Sequence, residues 1–361
     1  PMPPQPFTIT VTAVAETFVV TNTNDSGAGS LRDCMTRARN GDTITFDADV
    51  FDLTNADAAT VINVTAGELP TLDDSNVVIN AQERRVTING SGAGSANGIS
   101  ISSSNNTVRG LSIVGFTKSG VSILAGTNNM IGGSRTTGTG PNGQGLRIGN
   151  CGAFAVEIKG LGTDSNVVKG CWMGLDASGA GAQPNLAGVL ILGGAKLNVI
   201  GGTGDGEANV ISGNAFEGVT VSGGGTDDNI IIGNVVGATA TESDSTTKAA
   251  SRAFLNTRSA LSNGSAGVFL SRGTIGSRVG ADSTATSDQA GAQANGIGFN
   301  GGTGVEVRAS DTRSNSSRAN SILQNLRGPT NDAYRKFKAA QAYGGTPVGS
   351  SKELGQMFAS P

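Results

Sequence analysis

The sequence predicts an all-β protein, a right-handed parallel β-helix (solenoid) with a capping helix at its N-terminal end. Two recurring phrases support this prediction. One reads Gly-Val-x-apolar, and its successive copies lie 35, 33, 30, 49 and 37 residues apart. The other reads Asn-apolar-apolar-x-Gly. Glycine is also abundant, at 56 of 361 residues with only 10 prolines and no collagen-like period, so glycine marks turns.

Each phrase has room for one short strand, and the Gly, Asn or Asp that follows tolerates the positive φ of a tight turn. Repeats of this kind stack as coils of a solenoid, whereas a β-sandwich would show hairpin turns between paired strands. Copies of the first phrase begin at Gly120, Ala155, Gly188, Gly218, Gly267 and Gly304. Copies of the second begin at Asn129, Asn166, Asn198, Asn209 and Asn229.

The N-terminal part predicts a strand at residues 17–21 and then a capping helix at 31–39. Ser30 precedes the helix and Asp33 follows three residues later, which is the spacing of a capping box. Gly41 is expected to end the helix. The apolar stripe and the cations of the last turn are Leu31, Cys34, Met35, Ala38, Arg37 and Arg39. Such a helix would cover the open first coil.

The domain organisation follows from where the repeats begin and end. Residues 1–16 are expected to be an N-terminal extension, which contains a strand at 7–14 and starts with PMPPQP, as a mature chain after leader cleavage would. Residues 17–328 are expected to form the β-helix and 329–361 a C-terminal cap or tail, in which 331–343 is a helix or part of the tail. Corner loops are predicted at 134–144, 238–265 and 281–293, the second with a short helix within 248–261.

Composition excludes several classes of function. The chain has no histidine, so a His-dependent catalytic triad and a His-bound zinc site are both excluded. Its three cysteines lack Cys-x-x-Cys spacing, and its net charge of −3 with no basic block argues against nucleic acid as a partner. The sequence also has no apolar run long enough for a transmembrane helix.

The stretch TNTNDSGAGSLRDCMTRARNGDTITFD, at 21–47, resembles the entry segment of bacterial cell-surface β-helix proteins with a CSLREA-type motif, here degenerate as SLRDCM at 30–35. NVISGN and NIIIGNVVG, at 209–214 and 229–237, are similar to repeats of the pectate-lyase-like and NosD-like group. The resemblance covers roughly residues 17–326. It implies a right-handed parallel β-helix exported from a bacterial cell to its surface or exterior. It implies no single activity, since this fold hosts lyases, hydrolases, adhesins and structural proteins.

Acidic pairs are the first candidates for chemistry. Polygalacturonase-like enzymes combine such acids with a histidine and an Arg-x-Lys motif, which LRIGN at 146–150 does not supply. Pectate-lyase-like enzymes need carboxylates for Ca²⁺ and an Arg or Lys base. The pairs Asp73–Asp74 and Asp227–Asp228 are far apart in sequence, and Asp227–Asp228 is interpreted as part of a coil turn. Lys159 and Lys169 either face one side of the solenoid or belong to a solvated coil surface, and the sequence supports both interpretations equally. We therefore predict no catalytic, cofactor-binding or metal-binding residues.

Two further groups of residues are expected to be structural. Cys151 and Cys171 occupy matched positions in consecutive phrases, either as an apolar ladder, which we favour, or as a disulfide between coils; Cys34 is expected beneath the capping helix. Repeated Asn residues are expected to stack at one corner and to satisfy buried turn amides. Trp172, Tyr334 and Tyr343 are too few to predict a sugar-stacking surface.

The function favoured by these observations is structural. We predict a secreted surface protein that assembles with copies of itself into a fibre, sheath or surface layer, with residues 7–14 adding a strand to a neighbouring subunit. One alternative is a glycan-binding adhesin with polysaccharide as its partner. Another is a polysaccharide lyase or hydrolase of the pectate-lyase-like group.

Overall fold

The computed structural model describes residues 14–240, 258–309 and 311–325. In this part of the chain the strands form three sheets, and neighbouring strands within each sheet are parallel. Each sheet is joined to the next by a corner, so that the chain passes from sheet to sheet and returns one layer further on. The fold is an all-β parallel β-helix, which confirms the fold class predicted from the repeats.

Sheet 1 has ten strands in the spatial order β1 (Thr17–Val20), β2 (Thr43–Phe46), β4 (Val78–Asn80), β7 (Thr107–Arg109), β10 (Met130–Gly132), β13 (Val167–Lys169), β16 (Val199–Ile200), β19 (Ile230–Ile231), β22 (Arg278–Gly280) and β25 (Ser316–Arg318). Sheet 2 has nine strands, here in chain order: β3 (Val61–Asn63), β5 (Thr87–Asn89), β8 (Ser112–Val114), β11 (Arg147–Gly149), β14 (Trp172–Met173), β17 (Val210–Ile211), β20 (Val235–Val236), β23 (Gly296–Gly298) and β26 (Ser321–Leu323). Sheet 3 has seven: β6 (Ile99–Ile101), β9 (Val121–Ile123), β12 (Phe154–Lys159), β15 (Ala187–Leu192), β18 (Val219–Ser222), β21 (Val268–Ser271) and β24 (Val305–Arg308).

The Gly-Val phrase is the repeating unit of sheet 3. Its valines pair directly from coil to coil, in the order Val121, Val156, Val189, Val219, Val268 and Val305. The first five of them are fully buried. A slip of one residue would turn every inward side chain outward, so the apolar pattern fixes the register.

The Asn phrases form ladders that run along the corners of the solenoid. Between sheets 3 and 1, each side-chain amide donates to the next Asn oxygen over 2.9–3.1 Å, in the order Asn106, Asn129, Asn166, Asn198 and Asn229. A second ladder, between sheets 2 and 3, consists of Asn185, Asn214, Asn263, Asn300 and Asn325. A third, between sheets 1 and 2, consists of Asn209, Asn234, Asn295 and Asn320. The structural role predicted for Asn is confirmed, although three corners carry ladders rather than one.

The predicted capping helix is α1 (Leu31–Arg37), which ends two residues before the predicted end. Ser30 Oγ accepts from the Asp33 amide at 3.1 Å, but the Asp33 carboxylate accepts from Gly29 rather than from Ser30. Arg39 lies beyond the helix and donates to the Thr36 and Ala38 carbonyls at 2.9 and 2.8 Å. Its guanidinium therefore caps the C-terminal carbonyls, a role that Gly41 was expected to have. The apolar face is buried against the first coil and consists of Leu31, Cys34 and Met35.

Two short helical segments were not predicted. A 3-10 helix spans Asp57–Thr60, and a helix α2 (Ser287–Gln293) lies within the stretch predicted as a loop at 281–293. Helix α2 has a capping box formed by Thr286 and Gln289, but none of its residues is buried. Its sequence therefore lacks the apolar stripe by which an amphipathic helix is recognised in a sequence.

The cysteine alignment was wrong. Cys151 lies in the corner between β11 and β12, whereas Cys171 lies in the corner between β13 and β14, so the two side chains do not stack in one column. Both are free and fully buried, and Cys34, on the buried face of helix α1 itself, is free and nearly fully buried. The two central cysteines thus contribute to the apolar core without a bond between them.

Several predicted elements lie outside the described residues: the strand at 7–14 apart from Val14, most of the helix within 248–261, and the cap or tail at 329–361. In the part of the chain that is described, no helix is long and apolar enough to cross a membrane.

Candidate functional site

The acidic pairs singled out in the sequence lie in connections between strands. Asp227 accepts from the Ile275 amide at 2.9 Å, and Asp228 has a φ of 55°, in the left-handed region common in turns. Asp73 and Asp74 lie in the connection that precedes β4. Across residues 14–240, 258–309 and 311–325, no group of three or more Cys, Asp or Glu side chains is placed to hold a metal ion.

The two lysines do not share a face, so the first of their two interpretations is wrong. Lys159 belongs to β12 of sheet 3 and pairs with Glu157 at 3.0 Å. Lys169 belongs to β13 of sheet 1 and pairs with Glu207 at 2.7 Å. Each cation has its own carboxylate, so the lysines form structural ion pairs on separate sheets.

A groove with arginines in its lining lies on the outer face of sheet 2. Strand pairing places one outward row in register along the solenoid, consisting of Val61, Thr87, Ser112, Arg147 and Trp172. The residues that follow them in sequence point inward and are fully buried, because side chains alternate along a strand. Neighbouring members of the row are separated by about 4.8 Å, the spacing of strands in a sheet. The cavity beside this row measures about 290 Å³.

One wall of the groove is the corner loop predicted at 134–144. It contributes Arg135, Pro141 and Asn142 to the lining. Thr139 in this loop donates through its amide and its hydroxyl to the Glu83 carboxylate, at 3.1 and 2.6 Å. The Gly140 amide donates to the Gln82 carbonyl at 2.8 Å. The loop thus extends towards the N-terminal coils, and these hydrogen bonds to Glu83 and Gln82 hold it there.

The opposite wall follows β14. Leu175 and Ala182 form an antiparallel bridge, and the turn between them contributes Ala177 to the lining. The Asp176 carboxylate accepts from the Ser178 amide at 3.0 Å and from the Gly181 amide at 3.2 Å, which closes the turn. This turn positions Gln183 beside the strand row.

Arg147 lies between Ser112 and Trp172 in the outward row and is half-buried. Its Nη1 donates to Gln183 Oε1 at 2.6 Å, and its Nε donates to Ser112 Oγ at 3.3 Å. Burial lowers the pKa of Arg147, while the negative charge of Asp176 acts in the opposite direction. No carboxylate of the described chain forms an ion pair with Arg147.

Arg135 is the second cation of the groove. Its Cζ lies 4.0 Å from the centroid of the Trp172 ring, a cation–π contact. Burial lowers the pKa of Arg135 to about 10; the Cys171 thiol opposes this shift, and the positive charge of Arg147 adds to it. Arg135 likewise has no ion pair with a carboxylate of the described residues. Two cations thus lie near each other without a carboxylate bound to either.

Arg85 and Asp57 form an ion pair towards the N-terminal end of the groove. The Arg85 Nη2 also donates to the Leu53 carbonyl at 3.0 Å. Two other donors of the lining, Arg85 Nε and Trp172 Nε1, are buried and have no acceptor in the described part of the chain. Buried donors nearly always have a partner, so their presence in one cavity is typical of a binding site.

Sequence reasoning missed this groove. LRIGN is not an Arg-x-Lys motif, although its apolar residues Leu146 and Ile148 already indicate that Arg147 points outward. Trp172 was set aside because aromatic residues are few. What the sequence could not show is that Arg147 pairs with Trp172 in the next coil and that a loop brings Arg135 over the Trp172 ring.

Comparisons with known proteins give no family. No family model matches the chain, and no curated protein matches it. One similar solved structure is the alginate lyase from Paenibacillus sp. str. FPU-7, with 14% identity and a TM-score of 0.41 over 87% of this chain and 99% of that chain. Another is a mutant of the periplasmic alginate epimerase AlgG, with 11% identity and a TM-score of 0.29 over 80% of this chain and 69% of that chain.

The predicted structural function, self-assembly into a fibre, sheath or surface layer, is wrong. It depended on the apparent lack of a chemical site, and the structure instead has a groove lined by Arg135, Arg147, Arg85 and Trp172.

Proposed function

We propose that the groove on sheet 2 binds an acidic polysaccharide that carries carboxylate groups. The observation that carries this proposal is the pair formed by Arg135 and Arg147, two half-buried cations without a bound carboxylate in one concave site. The planar guanidinium fork matches a carboxylate and can bind it through two parallel hydrogen bonds. An anion in the groove would offset the cost of burying both cations.

The shape of the groove also suits a polymer. Its outward row advances by about 4.8 Å per coil, so a chain along the solenoid axis would meet equivalent positions at regular intervals. Hydroxyl and amide groups of Thr87, Ser112 and Asn142 line the same cavity and can bond to sugar hydroxyls. Cations for the carboxylates and neutral polar groups for the hydroxyls are the two kinds of contact that an acidic glycan requires.

Intrinsic fluorescence offers a direct test, because Trp172 is the only tryptophan of the chain. We expect polygalacturonate and alginate oligosaccharides to change its emission, and neutral oligosaccharides of equal length to have little effect. Affinity should fall as salt is added, since exposed charge interactions are screened. Substituting Arg135→Gln or Arg147→Gln should weaken binding by about tenfold or more, because one lost charged hydrogen bond costs about 1.5–3 kcal/mol.

Arg109→Gln is the matched control. Arg109 also projects from a strand, and burial also lowers its pKa, but it belongs to β7 of sheet 1 and donates to Asn80. Binding should be unchanged in this variant. The proposal is overturned if the wild-type protein binds no acidic oligosaccharide, or if the two groove variants bind as tightly as the Arg109 control.

A second candidate function is cleavage of the bound chain by β-elimination. The observation that favours it is the placement of Arg135 and Arg147 in one groove, where burial lowers the pKa of Arg135 to about 10. Arg147 would neutralise the uronate carboxylate while Arg135 removes the proton beside it. A carbon–carbon double bond then forms as the bond from carbon to the glycosidic oxygen breaks, and that oxygen takes up a proton from water. The initial rate at which the ultraviolet absorbance of the unsaturated product increases should rise with pH, because the neutral guanidine is the base. A flat pH profile, or no product, would reject this chemistry but not binding.

The family relationship and the location are proposed on the sequence resemblance. The segment at 21–47 supports a relationship with exported bacterial β-helix proteins of the CSLREA type and a location outside the cytoplasm. We also propose that residues 329–361 cap the C-terminal coils. Fractionation of the producing cells tests the location, and removal of residues 329–361 tests the cap through the loss of thermal stability.

A further inference from the structure

We infer that Trp172 is a positioning residue for Arg135, which it holds in the groove for a carboxylate of the ligand, and that it is not a surface on which a sugar ring stacks. This inference rests on the proposed function of the same groove. It assigns separate roles to two neighbouring residues that would otherwise both be taken as direct ligand contacts.

The contacts of the indole ring are the first reason. The Arg135 guanidinium lies over the ring at 4.0 Å from its centroid. At the far edge of the ring, Gly179 is so close that an added Cβ would lie 3.0 Å from both Cη2 and Cζ3. A sugar stacks on an aromatic ring only where a face is open, and here Arg135 covers a face and the turn beyond β14 packs on the edge.

The weak hydrogen bonding of the Arg135 guanidinium is the second reason. Its Nη1 donates to the Gly170 carbonyl at 3.4 Å and its Nη2 to the Pro141 carbonyl at 3.2 Å, both long for such bonds. Arg135 is carried by a loop, whereas Trp172 is fixed by strand pairing to Arg147 and Val210. The ring is therefore the rigid partner of the pair. Without it, the guanidinium would have many rotamers, and an anion would have to order them on binding.

A double-mutant cycle separates positioning from direct contact. Affinity for a galacturonate oligosaccharide is measured by calorimetry for the wild type, Trp172→Leu, Arg135→Gln and the double variant. We expect Trp172→Leu to weaken binding about tenfold, and Trp172→Phe, which retains a ring, to weaken it less. In the Arg135→Gln background, Trp172→Leu should have no further effect. In the Arg147→Gln background, by contrast, Trp172→Leu should still weaken binding.

A spectroscopic readout checks the free protein. Ring current from Trp172 should shift the side-chain resonances of Arg135 in nuclear magnetic resonance spectra, and Trp172→Leu should remove this shift. If Trp172 only stabilised the fold, there would be no reason for Trp172→Leu to lose its effect on affinity in the Arg135→Gln background alone. Thermal unfolding of each variant verifies that it folds, and Trp172→Phe provides the test if Trp172→Leu does not fold.

The outcomes distinguish this inference from the proposed function. If the wild type binds no acidic oligosaccharide, the proposed function fails, and the inference fails with it. If the wild type binds and Trp172→Leu costs as much affinity in the Arg135→Gln background as in the wild type, Trp172 contacts the sugar directly. In that case the inference is overturned while the proposed function stands. Unshifted Arg135 resonances in the free wild type would also overturn it.

Discussion

Asn166 Nδ2 donates to Asn198 Oδ1 at 3.0 Å, and the same Asn166 accepts at its Oδ1 from both the backbone amide and the side chain of Asn129 at 2.9 Å. Each Asn in the ladder therefore bonds to the coil before it and the coil after it. Since these residues are fully buried, water cannot replace a lost partner. The ladder links successive coils at a corner where the strands themselves have ended.

Replacing Asn166 by Ala should destabilise the fold. The substitution leaves donors of Asn129 without their acceptor, and each buried group left unsatisfied costs about 1–3 kcal/mol. Urea denaturation should show a lower midpoint. Asn24→Ala is the control, since Asn24 is exposed near the N-terminal end, and its midpoint should move little. Equal midpoints for the two variants would contradict the proposed role of the ladder.

The cysteines should not react in the folded protein. Burial raises the pKa of Cys151 and of Cys171 to about 12, and it also raises the pKa of Cys34. Because the thiolate is the reactive form, alkylation at pH 8 should modify none of the three under native conditions and all three after unfolding. Mass spectrometry measures the adducts. A peptide linking Cys151 to Cys171 without reductant would contradict the free thiols of the structure.

The Glu83–Thr139 contact should hold the groove loop in place. Hydrogen bonds from the Thr139 hydroxyl and amide lower the pKa of Glu83. The stability that this contact contributes is therefore fully present above the ordinary carboxyl pKa, about 4.3. It is lost as pH falls through the lower pKa that Glu83 has in the folded protein. At neutral pH, Glu83→Gln should speed hydrogen exchange at the Thr139 amide. Glu306→Gln, on sheet 3, should leave that amide as protected as in the wild type.

The N-terminal helix should depend on Asp25. This carboxylate pairs with Arg32 at 2.9 Å and accepts from the Thr65 amide at 2.8 Å, so it joins α1 to the next coil. Burial alone would raise the pKa of Asp25, but the hydrogen bonds from Arg32, Thr65 and Ala66 outweigh it and lower the pKa. The stability that it contributes is present above about pH 4 and is lost as pH falls through the folded value.

Substituting Asp25→Asn should lower the free energy of unfolding at pH 7 by about 1–3 kcal/mol, because a charged acceptor is lost. The difference from the wild type should shrink as pH falls through the folded pKa of Asp25, because the carboxyl group then loses the charge that Asn lacks. Chemical denaturation at several pH values measures both quantities. A difference that stays constant over this range would mean that charge is not the cause.

The sequence by itself determined the architecture. The Gly-Val phrase specified the valine column of sheet 3, the Asn phrase specified the corner ladders, and Ser30 with the apolar stripe specified helix α1. These features could be predicted because their physical causes are local: strand alternation, positive φ after a strand, and the side-chain cap of a helix. Helix α2 was missed because its residues are all exposed and so carry no apolar pattern.

The groove was decided only by the tertiary structure. Arg135, Arg147 and Trp172 are separated along the chain, and each alone has an ordinary structural interpretation. Coil-to-coil register pairs Arg147 with Trp172, while the fastening of Thr139 to Glu83 fixes the loop that carries Arg135. The same lack of long-range information made Cys151 and Cys171 look like neighbours and left open whether Lys159 and Lys169 share one side. The spacing of repeats specifies that coils stack, but the length of each corner loop decides which side chains meet, and that length has no periodic pattern.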